Sequence, residues 1–299
     1  KMAFSSMVSL LDNIDEKINI SIIHNTKNLQ QQIPLYIRDH KNLGSVAIYQ
    51  FLENNDNFPN IEKSHISEAT YYRLFLENYI KDETGYFIYL DADVICLKNP
   101  IEYFKSIFQQ MKNNDLCIAA MNHLEVPKVD QRSINLGIKS GKYFNAGVMV
   151  IDILKWRNLK VKEKSVEIIR QKNKDLMLWD QDVLNIIFDG KSQNINLNFN
   201  YRMDLLNFNE QEKKSIDEEV YLLHYFGKSK PWSLKGINFG VAEYYQEQFR
   251  KIYSNKYHIV HNWKKGSLLY LFEVIFTGKI FKTKHPFRLI YESLKSLIK

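Results

Sequence analysis

The stretch Tyr86-Phe-Ile-Tyr-Leu-Asp-Ala-Asp93 constrains this chain more than any other. An apolar, aromatic run rises to Leu90 and stops on two carboxylates separated by one alanine. The run has the length and the β-formers of a buried strand. Asp91 and Asp93 then fall at its carboxyl end, where open α/β sheets place their ligands. Two carboxylates about 4 Å apart repel by about 4 kcal/mol at an effective dielectric near 20. A hard divalent cation removes that cost. An acidic turn after a strand accounts for the same pair without a ligand, so the rest of the chain has to decide.

Around this stretch, strand and helix signals alternate. A helix is expected over 3–14, a strand over 18–24, a helix broken by Pro34 over 27–41, and a strand over 45–51. Ser67 to Ile80 reads as a helix, capped by Ser67 and with Glu68 at its positive end. After the Asp pair come a helix at 101–112, a strand at 115–121 and a loop over 122–142. An extended run covers 143–153, and helices follow at 162–173 and 180–188. A strand at 221–226 and a helix at 240–253 complete the body. Such alternation predicts an α/β fold with a mainly parallel central sheet and helices on both faces. The pattern opens with a helix, whereas a βαβ unit opens with a strand, so a first strand upstream of Lys1 is expected. A start on Lys1 rather than Met fits a chain that is processed, trimmed or incomplete there.

With 299 residues the chain can bury a sizeable core. Two cysteines, Cys96 and Cys117, sit in apolar runs without metal or disulfide spacing, which suits buried thiols in a reducing cytosol. No apolar run reaches the roughly 20 residues that cross a bilayer. The net charge of +7 is concentrated: residues 251–299 hold ten Lys/Arg against two Glu, leaving the first 250 residues at −1.

Four further stretches add weight to the Asp pair: His65-Ile-Ser-Glu-Ala-Thr-Tyr-Tyr-Arg73, Tyr143-Phe-Asn-Ala-Gly-Val148, Trp179-Asp-Gln-Asp182 and His224-Tyr-Phe-Gly-Lys-Ser-Lys-Pro-Trp232. Taken singly, each has an ordinary reading. His224 could be a structural or exposed histidine, Arg73 a core-edge arginine and Lys230 a solvated lysine. Asn145 could be a turn former, Asp180 a helix cap and His65 a loop residue. Taken together with Tyr89 to Asp93, the five blocks occur in the order and rough spacing of glycosyltransferase family 8, which this chain resembles over residues 3 to 250. That family contains bacterial lipopolysaccharide galactosyl- and glucosyltransferases and, more distantly, glycogenin.

The resemblance implies a GT-A fold and a retaining transferase that moves a hexose, galactose or glucose, from a UDP-sugar. Its acceptor would be a glycolipid or glycan of the bacterial surface. By the family's pattern Asp91, Asp93 and His224 hold Mn²⁺, with Mg²⁺ as the other candidate. Lys230 and Gly227 meet the diphosphate, and Arg73, Ala92, Asn145, Ala146, Asp180 and Gln181 surround the donor sugar. Arg73, Asp180 and Gln181 carry the catalytic expectations, and His65 lies beside the acceptor. Because Gln181 is an amide and a poor nucleophile, front-face attack is expected over double displacement. A non-catalytic sugar-nucleotide or membrane-binding module of the same fold is the alternative, and a metal-dependent phosphohydrolase or nucleotidyltransferase a more distant one. The missing first strand normally holds the uracil, so base contacts have no assignment.

The body is thus expected over 1–250 and a basic, aromatic, helical tail over 251–299. Cations interleaved with Trp263, Phe276, Phe281 and Phe287 make the tail a candidate anchor on an anionic membrane, at the inner face of the cytoplasmic membrane. A helical subdomain packed on the body with a solvated basic face has the same composition. No nucleic-acid module or basic groove is legible, so no nucleic-acid partner is expected.

Overall fold

The computed structural model describes residues 1–52, 68–81, 85–122, 131–172, 174–227, 229–260 and 265–297. Within these the strands are β1 (Ile18–His24), β2 (Leu43–Gln50), β3 (Tyr86–Leu90), β4 (Val94–Cys96), β5 (Ile118–Asn122), β6 (Phe144–Asp152), β7 (Ser192–Asn194), β8 (Tyr201–Met203) and β9 (Leu222–Tyr225). They form a β1–β2 pair, a four-stranded sheet ordered β3-β6-β5-β7 and a three-stranded sheet ordered β4-β9-β8. The helices lie outside these sheets, so the fold is α/β as expected.

The sheet direction is mixed rather than mainly parallel. Pairs β1–β2, β5–β7 and β8–β9 are parallel, whereas β3–β6, β5–β6 and β4–β9 are antiparallel. The physical reason is β6, which runs against both its neighbours through the centre of the sheet and is buried over its whole length. A strand buried on both faces is a continuous apolar run whichever way it points, so its composition carries no direction.

Strand β6 organises the core. Phe144, Ala146, Met149 and Ile151 join one apolar cluster, and Val148 and Val150 face a second one with Phe104, Ile107 and Met111. Its ladder with β5 jumps from Ala120↔Met149 to Met121↔Asn145, so residues 146–148 bulge out of that pairing. Bulges of this kind re-aim backbone beside functional sites.

Several elements differ from the sequence reading. The expected helix up to Ile80 is a 3-10 stretch, Glu68–Phe75, followed by one α-turn, Leu76–Tyr79, and its expected cap Ser67 lies outside the described residues. Three residues per turn eclipse i and i+3, which puts Tyr71 and Leu74 on one face and Tyr72 and Phe75 on another, and all four are buried. The 27–41 segment is a 3-10 turn, Leu29–Gln32, and a short helix, Leu35–Arg38, with Pro34 at its N-cap. A helix, Gln131–Leu136, lies in the region read as loop, of which 123–130 fall outside the described residues. Strands β4, β7 and β8 and the helix Glu210–Glu219 were not legible as elements.

The tail folds into helices Lys265–Phe276 and Pro286–Leu297 and packs on the body. Leu271, Val274, Ile280 and Leu289 bury against Leu234, Ile237 and Tyr257. Glu292 accepts hydrogen bonds from the backbone N–H groups of Lys256 and Tyr257 at 3.0 and 2.9 Å. The buried Gln246 side chain clamps two segments at once, donating to the Pro231 and His258 carbonyls at 2.8 and 3.1 Å. Trp263 lies outside the described residues. Both cysteines are free and buried as expected, and burial pushes each thiol up to about 12.

Candidate active site

Strand β3 ends at Leu90, and the Asp91 N–H donates to the Gly147 carbonyl at 2.8 Å, which ties the Asp pair to the β6 bulge. Val94 of β4 pairs with His224 of β9. That ladder carries His224 across to the carboxylates although 131 residues separate it from Asp93 in sequence. Ligand atoms of Asp91, Asp93 and His224 all lie within 4.8 Å of one another.

The imidazole's orientation follows from a chain of hydrogen bonds anchored on backbone. The Gly147 N–H donates to Asn145 Oδ1 at 3.0 Å, which fixes that amide's oxygen. Asn200 Nδ2 donates to the same oxygen at 2.9 Å, so Asn200 Oδ1 faces His224 Nδ1, 2.9 Å away. An acceptor there requires a proton on Nδ1. The other ring nitrogen, Nε2, points at Asp93 Oδ1 at 3.3 Å and Asp91 Oδ2 at 3.9 Å. Two carboxylates and an imidazole nitrogen with its partner nitrogen tied down form a donor set suited to a borderline divalent ion. Asp93 Oδ1 is buried and has no well-formed hydrogen bond, an acceptor turned toward the same space. The residues present therefore fit such a metal.

Gly147 makes this geometry possible. A Cβ at that position would lie 2.2 Å from His224 Cε1 and 3.0 Å from Asp91 Oδ2.

Two cations balance the cluster from opposite sides. Lys230 Nζ donates to Asp93 Oδ2 at 2.7 Å and to the Tyr225 carbonyl at 2.6 Å. Burial alone would push the Asp93 carboxyl up; the Lys230 ammonium and the His224 ring outweigh it and hold the group well below the usual carboxylate range. Arg73, only 7% exposed, reaches Asp91 Oδ1 at 2.8 Å through Nη2 and Asp180 Oδ2 at 2.7 Å through Nε. Its guanidinium also donates to the Ala146 carbonyl and lies over the Tyr89 ring at 4.7 Å, while Tyr89 Oη donates to Asp91 Oδ1 at 2.7 Å. Burial disfavours its charge, but Asp180 and Asp91 more than offset that and raise its pKa. Burial pushes Asp180 up to about 7, against the opposing charge of Arg73.

Gln181 is held on every side. Its Oε1 accepts from Asn145 Nδ2 at 3.0 Å and from the Ala146 N–H at 3.2 Å, and its Nε2 donates to Tyr143 Oη at 3.1 Å. Tyr143 Oη donates in turn to the fully buried Asp182 at 2.5 Å. Asp180 does not cap its helix as one reading of the sequence had it: Leu178 is the N-cap of Trp179–Ile187 and Asp180 pairs with Arg73.

The structure thus gathers Arg73, Asp91, Asp93, Asn145, Ala146, Gly147, Asp180, Gln181, His224 and Lys230 into one connected set. Ala92 lines the groove next to it. Gly227, at φ +81°, adopts a left-handed turn close to Asp204. Trp232 packs at a tilt against Tyr245 and His258. His65 lies outside the described residues. Sequence reasoning missed Asn200, which sits in an Asn-rich run with no distinguishing pattern, and the roles of Tyr143 and Asp182, which lay inside quoted blocks but were given none.

The architecture, with the acidic cluster at the carboxyl end of β3, is that of the GT-A fold. The structure superposes on the galactosyltransferase LgtC, solved with donor and acceptor sugar analogues, at a TM-score of 0.68 and 23% identity, covering 89% of this chain and 96% of that one. The sequence profile of glycosyl transferase family 8 matches residues 2–236, and the chain belongs to that family. It is 32% identical over 186 residues to a lipopolysaccharide 1,3-galactosyltransferase of Salmonella typhimurium, covering 59% of this chain and 52% of the relative. It is 27% identical over 240 residues to general stress protein A of Bacillus subtilis, covering 76% of this chain and 81% of that one. The chain spans about half the length of the lipopolysaccharide relatives it matches.

Proposed function

We propose that the chain is a metal-dependent, retaining hexosyltransferase that moves galactose or glucose from a UDP-sugar to a glycolipid or glycan of the bacterial surface, such as lipopolysaccharide. The observation that carries this is the convergence of Asp91, Asp93 and His224, with Nδ1 of the histidine pinned by Asn200. These three would hold Mn²⁺ (or Mg²⁺), which when bound neutralises charge on the diphosphate. Lys230, now paired with Asp93, would add a second positive charge to the departing UDP by exchanging that contact for a phosphate oxygen. Arg73 holds Asp91 and Asp180 to one guanidinium, and on this reading Asp180 would accept from sugar hydroxyls.

The hydrogen bonds of Gln181 support front-face attack. Its carbonyl oxygen already receives two N–H donors, which lowers its capacity to attack an anomeric carbon. The acceptor hydroxyl would enter on the side UDP leaves, passing its proton to a UDP phosphate oxygen. A stable covalent sugar on residue 181 or on Asp180 in the wild type would overturn this path.

The tail supports a membrane-facing acceptor. Leu269, Phe272 and Phe276 on one helix, and Phe287, Tyr291 and Leu294 on the next, are exposed at helical spacing, with Lys279, Lys282, Lys284 and Arg288 between and beside them. Among the described residues no helix is long and apolar enough to cross a membrane.

UDP release is measured from UDP-galactose and UDP-glucose, with and without lipooligosaccharide acceptor, in Mn²⁺ and in EDTA. Acceptor-stimulated release that disappears in EDTA is expected. Fast release without acceptor would favour hydrolysis, and none under any condition a non-catalytic binding module.

A further inference from the structure

Strands β8 and β9 sort their side chains by alternation. Met203, Leu205, Leu223 and Tyr225 pack into one apolar cluster. Residues at the intervening positions face the other way, toward the Asp91 and Asp93 carboxylates. There Asn200 meets His224 at 2.9 Å, and the next pair along the same row is Arg202 and Phe226, with the guanidinium 4.0 Å from the ring centre. Arg202 is in register with His224, and the Phe226 N–H donates to the Met203 carbonyl at 2.9 Å, so the pairing holds one residue beyond β9. Asn200 and His224 are buried, Arg202 is half-buried and Phe226 is exposed. The row therefore leads from the metal-type centre out to solvent.

It does so on a different flank from the groove. That space, about 780 Å³, is lined by Arg73, Asp91, Ala92 and Asp93, whereas Arg202 and Phe226 lie outside it. Arg202 instead interacts electrostatically with Tyr143, whose hydroxyl accepts from Gln181 at 3.1 Å. A guanidinium laid over a ring has its plane fixed, and its N–H edge suits two-pronged contact with a phosphate or carboxylate. Five N–H donors allow such a contact besides those made within the protein. Burial lowers the pKa of Arg202, while two carboxylates raise that of Arg73, so an incoming anion would stabilise the Arg202 charge. Asp204, two residues on, would oppose an anion, but its carboxylate is turned into its own loop. It accepts there from the Leu206 N–H at 3.1 Å and from Asn207 Nδ2 at 2.8 Å.

We propose that Arg202, laid on Phe226, is a specificity contact for the second substrate and receives a phosphate ester or carboxylate carried by the sugar that is extended. Calling that sugar the acceptor rests on the transfer reading; the anion contact itself does not.

Ligand-observed NMR titration tests this, with UDP and Mg²⁺ present to fill the donor side. The probes are galactose 6-phosphate, glucose 6-phosphate and galacturonic acid, with neutral methyl galactoside and inorganic phosphate as controls. At least one charged sugar is expected to bind on the order of tenfold more tightly than the neutral one. Arg202→Gln should remove that preference, and Arg202→Lys should restore only part of it, because an ammonium lacks the planar fork. Lys230→Ala should leave the preference in place. Equal binding of charged and neutral sugars to the wild type overturns the proposal, as does a preference that survives Arg202→Gln. A preference lost in Lys230→Ala instead overturns it too, since the anion then sits on the donor side. Inorganic phosphate binding as tightly as the sugar phosphates overturns the assignment to a sugar substrate. If Arg202→Gln proves unfolded by its Tm, Phe226→Leu is read in its place, and an undiminished preference there is equally contrary. Binding is read without turnover, so absence of UDP release would sink the transfer reading and leave this contact separately judged.

Discussion

Gly147 carries no side chain because the His224 ring occupies the place where one would go. Gly147→Ala is therefore expected to push His224 off the carboxylates, abolishing Mn²⁺-dependent turnover and lowering metal affinity, read by titration calorimetry with Mn²⁺. An unchanged affinity would mean that the ring is not a ligand. Asn200 acts one bond further out, and Asn200→Ala should weaken Mn²⁺ binding about 10- to 100-fold, the usual cost of losing a partner that orients a ligand. Asp180 gives a pH signature. Its carboxyl is raised from an ordinary 3.8 to about 7, so between these values the folded state binds more protons than the unfolded one. Stability from this group is full below the lower value and is lost as pH rises through the upper. In EDTA, Asp180→Asn should flatten a fall in Tm from pH 4 to pH 7. Asp93 has the opposite sign: its contribution is present above the ordinary carboxylate value and is lost on acidification.

At the scale of elements, the tail presents a two-sided pair of helices, Leu271 and Val274 inward, Phe272 and Phe276 outward. Phe276→Ser with Phe281→Ser should reduce sedimentation with anionic vesicles severalfold while leaving Tm within a degree or two, since both rings are exposed and hold no core. Equal sedimentation would remove the membrane reading. The composition of this segment left packing and anchoring open, and both faces are present because helical spacing separates them. Elsewhere the sequence was legible where a long periodic or apolar run exists. Tyr86 to Leu90 and Phe144 to Asp152 are strands, and 161–172 is a helix within a residue of the expected bounds. It was illegible where tertiary contact decides. Three-residue strands such as β4 and β8 have no pattern of their own, and the 3-10 stretch Glu68–Phe75 buries Tyr71 and Tyr72 before Arg73 and Leu74 and Phe75 after it, a requirement of tertiary packing. At the site, the Asp91/Asp93 pair was legible from its chemistry, while His224, Lys230, Arg73 and Gln181 were singled out only through the family resemblance. Asn200 was not legible, because an orienting amide differs from any surface asparagine only in what it touches.

For the whole molecule, metal binding should appear as stability. Mn²⁺ at a hundred times its Kd adds about 2.7 kcal/mol to a folded state that alone binds it. For a chain of this size that is a rise of a few degrees in Tm, absent in His224→Ala, measured by differential scanning fluorimetry. The Gln246 clamp bears on the molecule as a whole too. One buried amide holds both the Pro231 carbonyl, next to Lys230, and the His258 carbonyl in the segment leading into the tail helices, so it ties the lysine's loop to the tail. If the proposed membrane seating holds, an enzyme so tied would work at a set height. Of the sugars that stand up from the lipid plane, it would extend those whose growing tip reaches that altitude and pass over shorter or taller ones, a ruler built from a single glutamine.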